Sequence, residues 1–317
     1  MSTATDTSLA AVLLVQRLVD VPADPLKASE YWALLERLDD PARLLDLDPP
    51  DIEQLAGVDR ELAKRIAALL GAATAVAFEC EELERSGIQP IVSTDDRYPR
   101  VLLDRLGSSA PPMLYVAGDP RLLTTDLLGV VGSRDVDEHG ADVARGAARE
   151  ASSQGFGIVS GAAKGVDRLA MTAALDAGTH AVGVLADSLT RLARDPDVRR
   201  AVTEGQLCLC TPYKPTAGFS VANAMGRNKL IYALSQATLV VASDLEKGGT
   251  WAGAVEALRR RTAPVLAWTG DGAGPGNAQL VEAGAHAVAC LDQLVPLPAP
   301  HASTAELPIS SRSRSDS

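Results

Sequence analysis

Aromatic side chains make up only 3% of this 317-residue sequence: three Phe, three Trp and five Tyr. A broad platform for stacked bases would need more of them, so any polynucleotide contact would be dominated by the ligand's backbone and tolerant of sequence. Phe219 and Tyr213 are the candidates for stacking. Cysteine is equally sparse. Cys80, Cys208, Cys210 and Cys290 form no CxxC pair and have no histidine at ligand spacing. No structural zinc site is expected, and the thiols read as free and buried. His139, His180, His286 and His301 are scattered, and neither Ser133 nor Ser160 has an evident base, so no catalysis and no cofactor are expected. No apolar run approaches the length of a membrane span. The opening MSTATDTSLAAVLLVQ lacks the basic region of a secretion signal, which predicts a cytoplasmic protein with no membrane partner.

A basic surplus is also missing. The net charge of −11 argues against a general nucleic-acid coat, but the charge is unevenly placed. Residues 1–128 carry 12 Lys/Arg against 22 Asp/Glu, and residues 269–317 carry 2 against 5. Residues 129–268 carry 16 against 14, so this central segment can still present a local basic pocket.

With 46% apolar residues the chain can bury a large core, and its pattern divides it. Residues 1–85 read as short helices, a small helical domain of the helix-hairpin-helix kind. Within it LAGVDRELAKRI has Gly57 and Val58 where a phosphate-holding hairpin has them, but Asp59 replaces the second glycine and would repel phosphate. Residues 86–126 read as a connector packed on the core, with short strands IQPIVS and MLYVAG. From 127 to 296 apolar runs (LLGVVGS, FGIVSG, HAVGVLA, QLCLCTP, ATLVVAS, APVLAW, HAVAC) alternate with helical segments. That alternation predicts an α/β fold, a doubly wound, mostly parallel, Rossmann-like sheet covered on both faces. Residues 297–317 are Pro/Ser/Ala-rich and read as a disordered tail.

Ligands of such sheets bind at the carboxyl ends of the strands, and four segments with one chemistry fall there. After LLGVV come Gly132, Ser133 and Arg134, whose guanidinium can fork onto a phosphate. After GIV come Ser160, Gly161, Lys164 and Gly165, where small residues expose backbone N–H groups at a helix start. Asp167 follows, either capping that helix or touching ligand. Arg227, Asn228 and Lys229 are read at the start of a third helix, and Lys247, Gly248, Gly249 and Thr250 at that of a fourth. The spacing matches neither a Walker loop nor a GxGxxG turn. Convergence of four such loops on one rim predicts an anion site.

The same pieces, in order, resemble the DNA-processing protein A (DprA/Smf) family over about residues 50–268: LAGVDRELAKRI, then GI…DDRYP…PPMLYVAGD, GVVGSR, GIVSGAAKGVD, GRNKLIYALS and KGG. The resemblance implies an extended Rossmann fold, a pocket for single-stranded DNA, a homodimer, and delivery of DNA to the RecA recombinase during uptake and recombination. It places the pocket at Arg134, Ser160, Gly161, Lys164, Arg227, Lys229 and Lys247. The sequence departs from the family's pattern at Met171, often histidine; at Lys229, the second arginine of RNR; at Gly253, usually threonine; and at GGTW.

Two other readings use the same residues. The superfamily includes phosphoribohydrolases with PGGxGTxxE; here KGGTWAGAVE lacks the proline and Glu256 lies six residues after Thr250, so a nucleotide-binding sensor is the more natural form of that alternative. The other is a scaffold that meets protein partners through its acidic N-terminal half.

Overall fold

A computed structural model describes residues 6–294. The expected tail at 297–317 lies outside the described residues. Helices come first: α1 (Asp6–Val15), α2 (Ala28–Leu38), α3 (Pro49–Ala56), α4 (Arg60–Leu70) and α5 (Ala73–Arg85). Two strands follow, β1 (Ile88–Val92) and β2 (Met113–Ala117), with α6 (Val101–Leu106) between them. The alternating part then runs β3 (Leu127–Val131), α7 (Glu138–Ser153), β4 (Gly157–Ser160), α8 (Val166–Asp176) and β5 (Ala181–Val184). It continues through α9 (Leu189–Leu192), α10 (Pro196–Thr203), β6 (Leu207–Thr211), α11 (Val221–Leu234) and β7 (Ala237–Val240). It closes with α12 (Gly248–Arg260), β8 (Val265–Trp268), α13 (Asn277–Glu282) and β9 (His286–Val288).

These strands join one sheet in the order β1-β2-β6-β5-β4-β3-β7-β8-β9. From β3 onward every pairing is parallel, while β1 with β2 and β2 with β6 are antiparallel. The segment read as a connector therefore supplies two strands at one side of the sheet. The chain builds outward from β3 through β4, β5 and β6, then returns and builds the other way through β7, β8 and β9. The crevice between β3 and β7 is the switch point, where such sheets take ligands.

The strands are apolar throughout because both faces are covered. Neighbouring residues go to opposite cores: Ile158 to one and Val159 to the other, Leu209 to the first and Cys210 to the second. The first core also holds Leu13, Leu14, Tyr31 and Ile66, so the N-terminal helices pack on the same face as α7 and α8. Each such large side chain contributes about 1.5–3 kcal/mol on burial. Polar ties fix the joint: Tyr31 Oη lies 2.8 Å from Ser93 Oγ, and Trp32 Nε1 donates to Ala110 O at 2.8 Å. Cys208 and Cys210 are buried as expected, but Cys80 is half-buried and Cys290 exposed, since neither belongs to a covered strand.

In the N-terminal hairpin, Gly57 closes α3 in a left-handed conformation at φ 60°. Asp59 caps α4 by accepting from Leu62 N at 2.8 Å. Its carboxylate occupies the place where a helix start would receive phosphate.

Candidate functional site

A cleft of about 760 Å3 opens at the switch point, between the loops that follow β3 and β7. Gly132, Ser133 and Arg134 form one wall, and Lys247, Gly248, Gly249 and Thr250 form the facing one. Arg227, Asn228 and Tyr232 of α11 line it from below. Nine of the fourteen residues expected at the site thus meet in one place, namely all of those from the β3 and β7 loops together with Arg227 and Asn228.

Two exposed cations stand at the mouth. The Arg134 guanidinium carbon lies 5.3 Å from the ring centroid of Phe219, itself 55% exposed, in a cation–π contact. Lys247 precedes α12, whose first turn has no side-chain cap. Its backbone N–H groups and positive dipole end therefore face the cleft without a resident acceptor. A left-handed turn at Glu246 (φ 55°) and Gly248 (φ 78°) aims this start.

Arg227 departs from the expected role. The residues Arg227, Asn228 and Lys229 do not open a helix; they lie in the middle of α11, because Ser220 caps it two turns earlier by accepting from Asn223 N at 3.0 Å. Successive helical residues point about 100° apart, so three in a row cannot share one ligand. Arg227 turns inward. Its Nη1 donates to Val184 O at 3.0 Å and lies 3.9 Å from Asp167 Oδ2, with both side chains buried. Burial lowers the Arg227 pKa, with Asp167 opposing, and burial raises that of Asp167, with Arg227 opposing. Asp167 is thus a buried counter-ion, not a helix cap. The Nε of Arg227 and the hydroxyl of Tyr232 have no hydrogen-bond partner.

Asn228 donates from Nδ2 to Gly249 O at 3.0 Å, tying α11 to α12. Lys229 does not reach the cleft: its Nζ lies 3.3 Å from Glu256 Oε1, which also receives Arg260. Glu256 is held on the helix flank and is not among the residues that line the cleft. Thr250 Oγ1 donates to Gly132 O at 3.1 Å, so its proton holds two loops together and is not available to a ligand.

The loop after β4 plays a supporting part. Ser160 is fully buried and donates to Val130 O at 2.6 Å, which removes it as a contact. Gly161 lies under the Arg227 guanidinium and faces no ligand. Gly165 (φ 85°) packs on the Ser133 carbonyl, where a Cβ would clash, and Val166 N donates to Ser133 O at 3.2 Å. Lys164 points out of the cleft to Asp135 at 3.1 Å.

Asp167, Asp244, Phe219 and Tyr232 line the cleft without belonging to the expected phosphate set. Tyr232 stands four residues after Asn228, the helical spacing that marks a shared face. Two of the sequence's departures have packing causes. A Cβ on Gly253 would come within 3.3 Å of both Asn228 Nδ2 and the Tyr232 ring, and Met171 is buried in the core beneath β5. Tyr213, expected as a base-stacking candidate, donates its hydroxyl to Asn223 O at 2.9 Å and braces α11.

The family model for DNA recombination-mediator protein A matches residues 89–297. The chain belongs to this family. Among its relatives is a putative DNA processing protein DprA of Mycobacterium tuberculosis, 28% identical over 291 residues, spanning 83% of this chain and 73% of the relative. The DNA processing protein DprA of Bacillus subtilis is 27% identical over 206 residues, 64% of this chain and 68% of that protein. The structure of the Streptococcus pneumoniae DNA processing protein A superposes with a TM-score of 0.68 at 22% identity, covering 91% of this chain and 96% of that one. That of Helicobacter pylori, described with its single-stranded DNA binding mode, gives 0.54 at 22% identity, with 66% and 94% covered. These two likenesses show the fold: the α/β, Rossmann-like sheet is that of the DprA proteins, and family membership gives the chain a DNA-processing role. Among the described residues no helix is long and apolar enough to cross a membrane.

Proposed function

We propose that this protein binds single-stranded DNA in the switch-point cleft and works by holding the strand, without catalysis. The observation that carries this reading is the mouth of the cleft, where Arg134 and Lys247, exposed and without an ion pair among the described residues, meet the uncapped backbone N–H groups at the start of α12. Donors without acceptors call for an acceptor-rich anion, and a phosphodiester is one. The acids of the cleft weaken this only in part. Asp167 is committed to Arg227, which leaves Asp244 and the exposed Asp135, weakly paired with Lys164, against Arg134, Lys247 and the start of α12. Phe219 offers one exposed face at the rim, enough for a single base. The single-stranded DNA binding described for the Helicobacter pylori protein supports the same ligand. We further infer that the strand is delivered to a RecA recombinase and that the protein acts as a homodimer; the family's description as a recombination mediator supports the first.

A second reading has one observation in its favour: about 760 Å3 is also the size of a small-ligand site, so a nucleotide could fill the cleft. Competition separates the two. Labelled oligothymidylate is bound and then challenged with unlabelled oligonucleotide, duplex DNA or mononucleotides. Single-stranded oligonucleotide is expected to displace the probe at far lower concentration than any mononucleotide. Displacement by a mononucleotide at equal concentration, or no oligonucleotide binding at all, contradicts the proposal.

A further inference from the structure

A second cleft, of about 720 Å3, adjoins the first, and Arg134 and Asp135 line both. It runs between α7 and α8. Arg145 and Arg149, four residues apart, share one face of α7, and Lys164 and Arg168 stand at the head of α8 across from them. Arg149 and Arg168 are exposed and have no acidic partner among the described residues. Lys164 has only Asp135, in a pair with both side chains more than three-quarters exposed, which water and salt weaken. Arg145 is held more firmly, by Asp142 at 2.7 Å and Glu138 at 3.3 Å.

Both helices start at the carboxyl ends of their strands and run back along the sheet, so the cations form a row leading away from the cleft. Along α7 the cations Arg145 and Arg149 stand about 6 Å apart at 1.5 Å per residue, and Arg134 and Lys164 carry the row to the mouth of the first cleft. The row has an end. A neighbouring hollow shares Arg168 and Asp176 with it but is lined by Asp195, Asp197 and Glu204, with Arg200 the one added cation, and a phosphate chain is repelled there.

We propose that the groove between α7 and α8 is a second phosphate-binding segment, holding the continuation of a strand whose first nucleotides occupy the switch-point cleft. This rests on the reading of that cleft as a single-stranded DNA site. It gives Lys164, which turns away from the cleft, a ligand of its own, and it sets a footprint longer than the cleft alone can hold.

The test uses the full chain with Arg149→Ala and Arg168→Ala combined, two exposed positions at which alanine removes no ion pair. Two labelled oligothymidylates are titrated at several salt concentrations, one just long enough to fill the cleft and one several times longer. For the short strand the variant is expected to bind like the wild type. For the long strand it is expected to bind more weakly, with a plot of log affinity against log salt flatter by about 1.4, or about 0.7 for each phosphate that is no longer neutralised. Unchanged binding of the long strand overturns the groove and leaves the cleft standing. Equal weakening for both strands overturns it as well, since the two arginines would then act on the cleft. Failure of the wild type to bind either strand overturns the cleft reading and this one with it.

Discussion

Gly161 lies directly beneath the guanidinium of Arg227: a Cβ built on it would fall onto Nη1 of that arginine. The glycine at the end of β4 is what lets α11 send a cation into the sheet's crevice. Gly161→Ala is expected to displace the guanidinium from Val184 O and to cost about 1–3 kcal/mol, as overpacking of a filled interior does. The shift of the urea unfolding midpoint measures it.

Arg227 and Asp167 form one unit, at 3.9 Å and buried together. Removing either leaves the other charged and unpaired, so Asp167→Asn and Arg227→Met are each expected to destabilise by about 3–5 kcal/mol. The double variant is expected to lose clearly less than the sum. Additive losses in a double-mutant cycle contradict the pairing. It follows that Arg227→Ala is a poor probe of ligand binding, because its first effect is on the fold.

His180 gives the fold a dependence on pH. Burial lowers its pKa below the ordinary 6.5, and its Nε2 lies 2.7 Å from Thr125 Oγ1. The unfolded chain therefore binds a proton more readily than the folded one. The stability due to the neutral ring is complete above about pH 6.5 and is lost as pH falls through the lower folded value. Thermal melts between about pH 7.5 and pH 5 are expected to fall more steeply for the wild type than for His180→Gln.

Phe219 is the exposed aromatic ring that lines the cleft. Phe219→Ala is expected to weaken single-stranded DNA binding by about 1–3 kcal/mol, the worth of one stacked base, and Phe219→Trp to retain it. Fluorescence anisotropy at fixed salt reads both.

The strands are legible because buried parallel strands are written as short unbroken apolar runs, such as LCLCT and VLAW. The antiparallel places of β1 and β2 are not, since pairing depends on partners far along the chain. Helix α10 escapes a reading by periodicity because it is short, although Asp195 caps it and Pro196 opens it. The start of α11 is misplaced by sequence reasoning, which opens the helix near Arg227; the Ser220 cap is the signal that marks its true start. At the site, loop chemistry identifies the rim but not the direction of each side chain. Arg227, Asn228 and Lys229 part by helical rotation, and Ser160 disappears into the core.

The most direct test of the central claim is the salt dependence of single-stranded DNA binding in Arg134→Ala and Lys247→Ala, two exposed residues with no ion pair among the described residues. Each variant is expected to bind every oligonucleotide sequence more weakly and to flatten the slope of log affinity against log salt by about 0.7, one phosphate each. Wild-type affinity and slope in both variants would contradict the placement of the strand in the switch-point cleft.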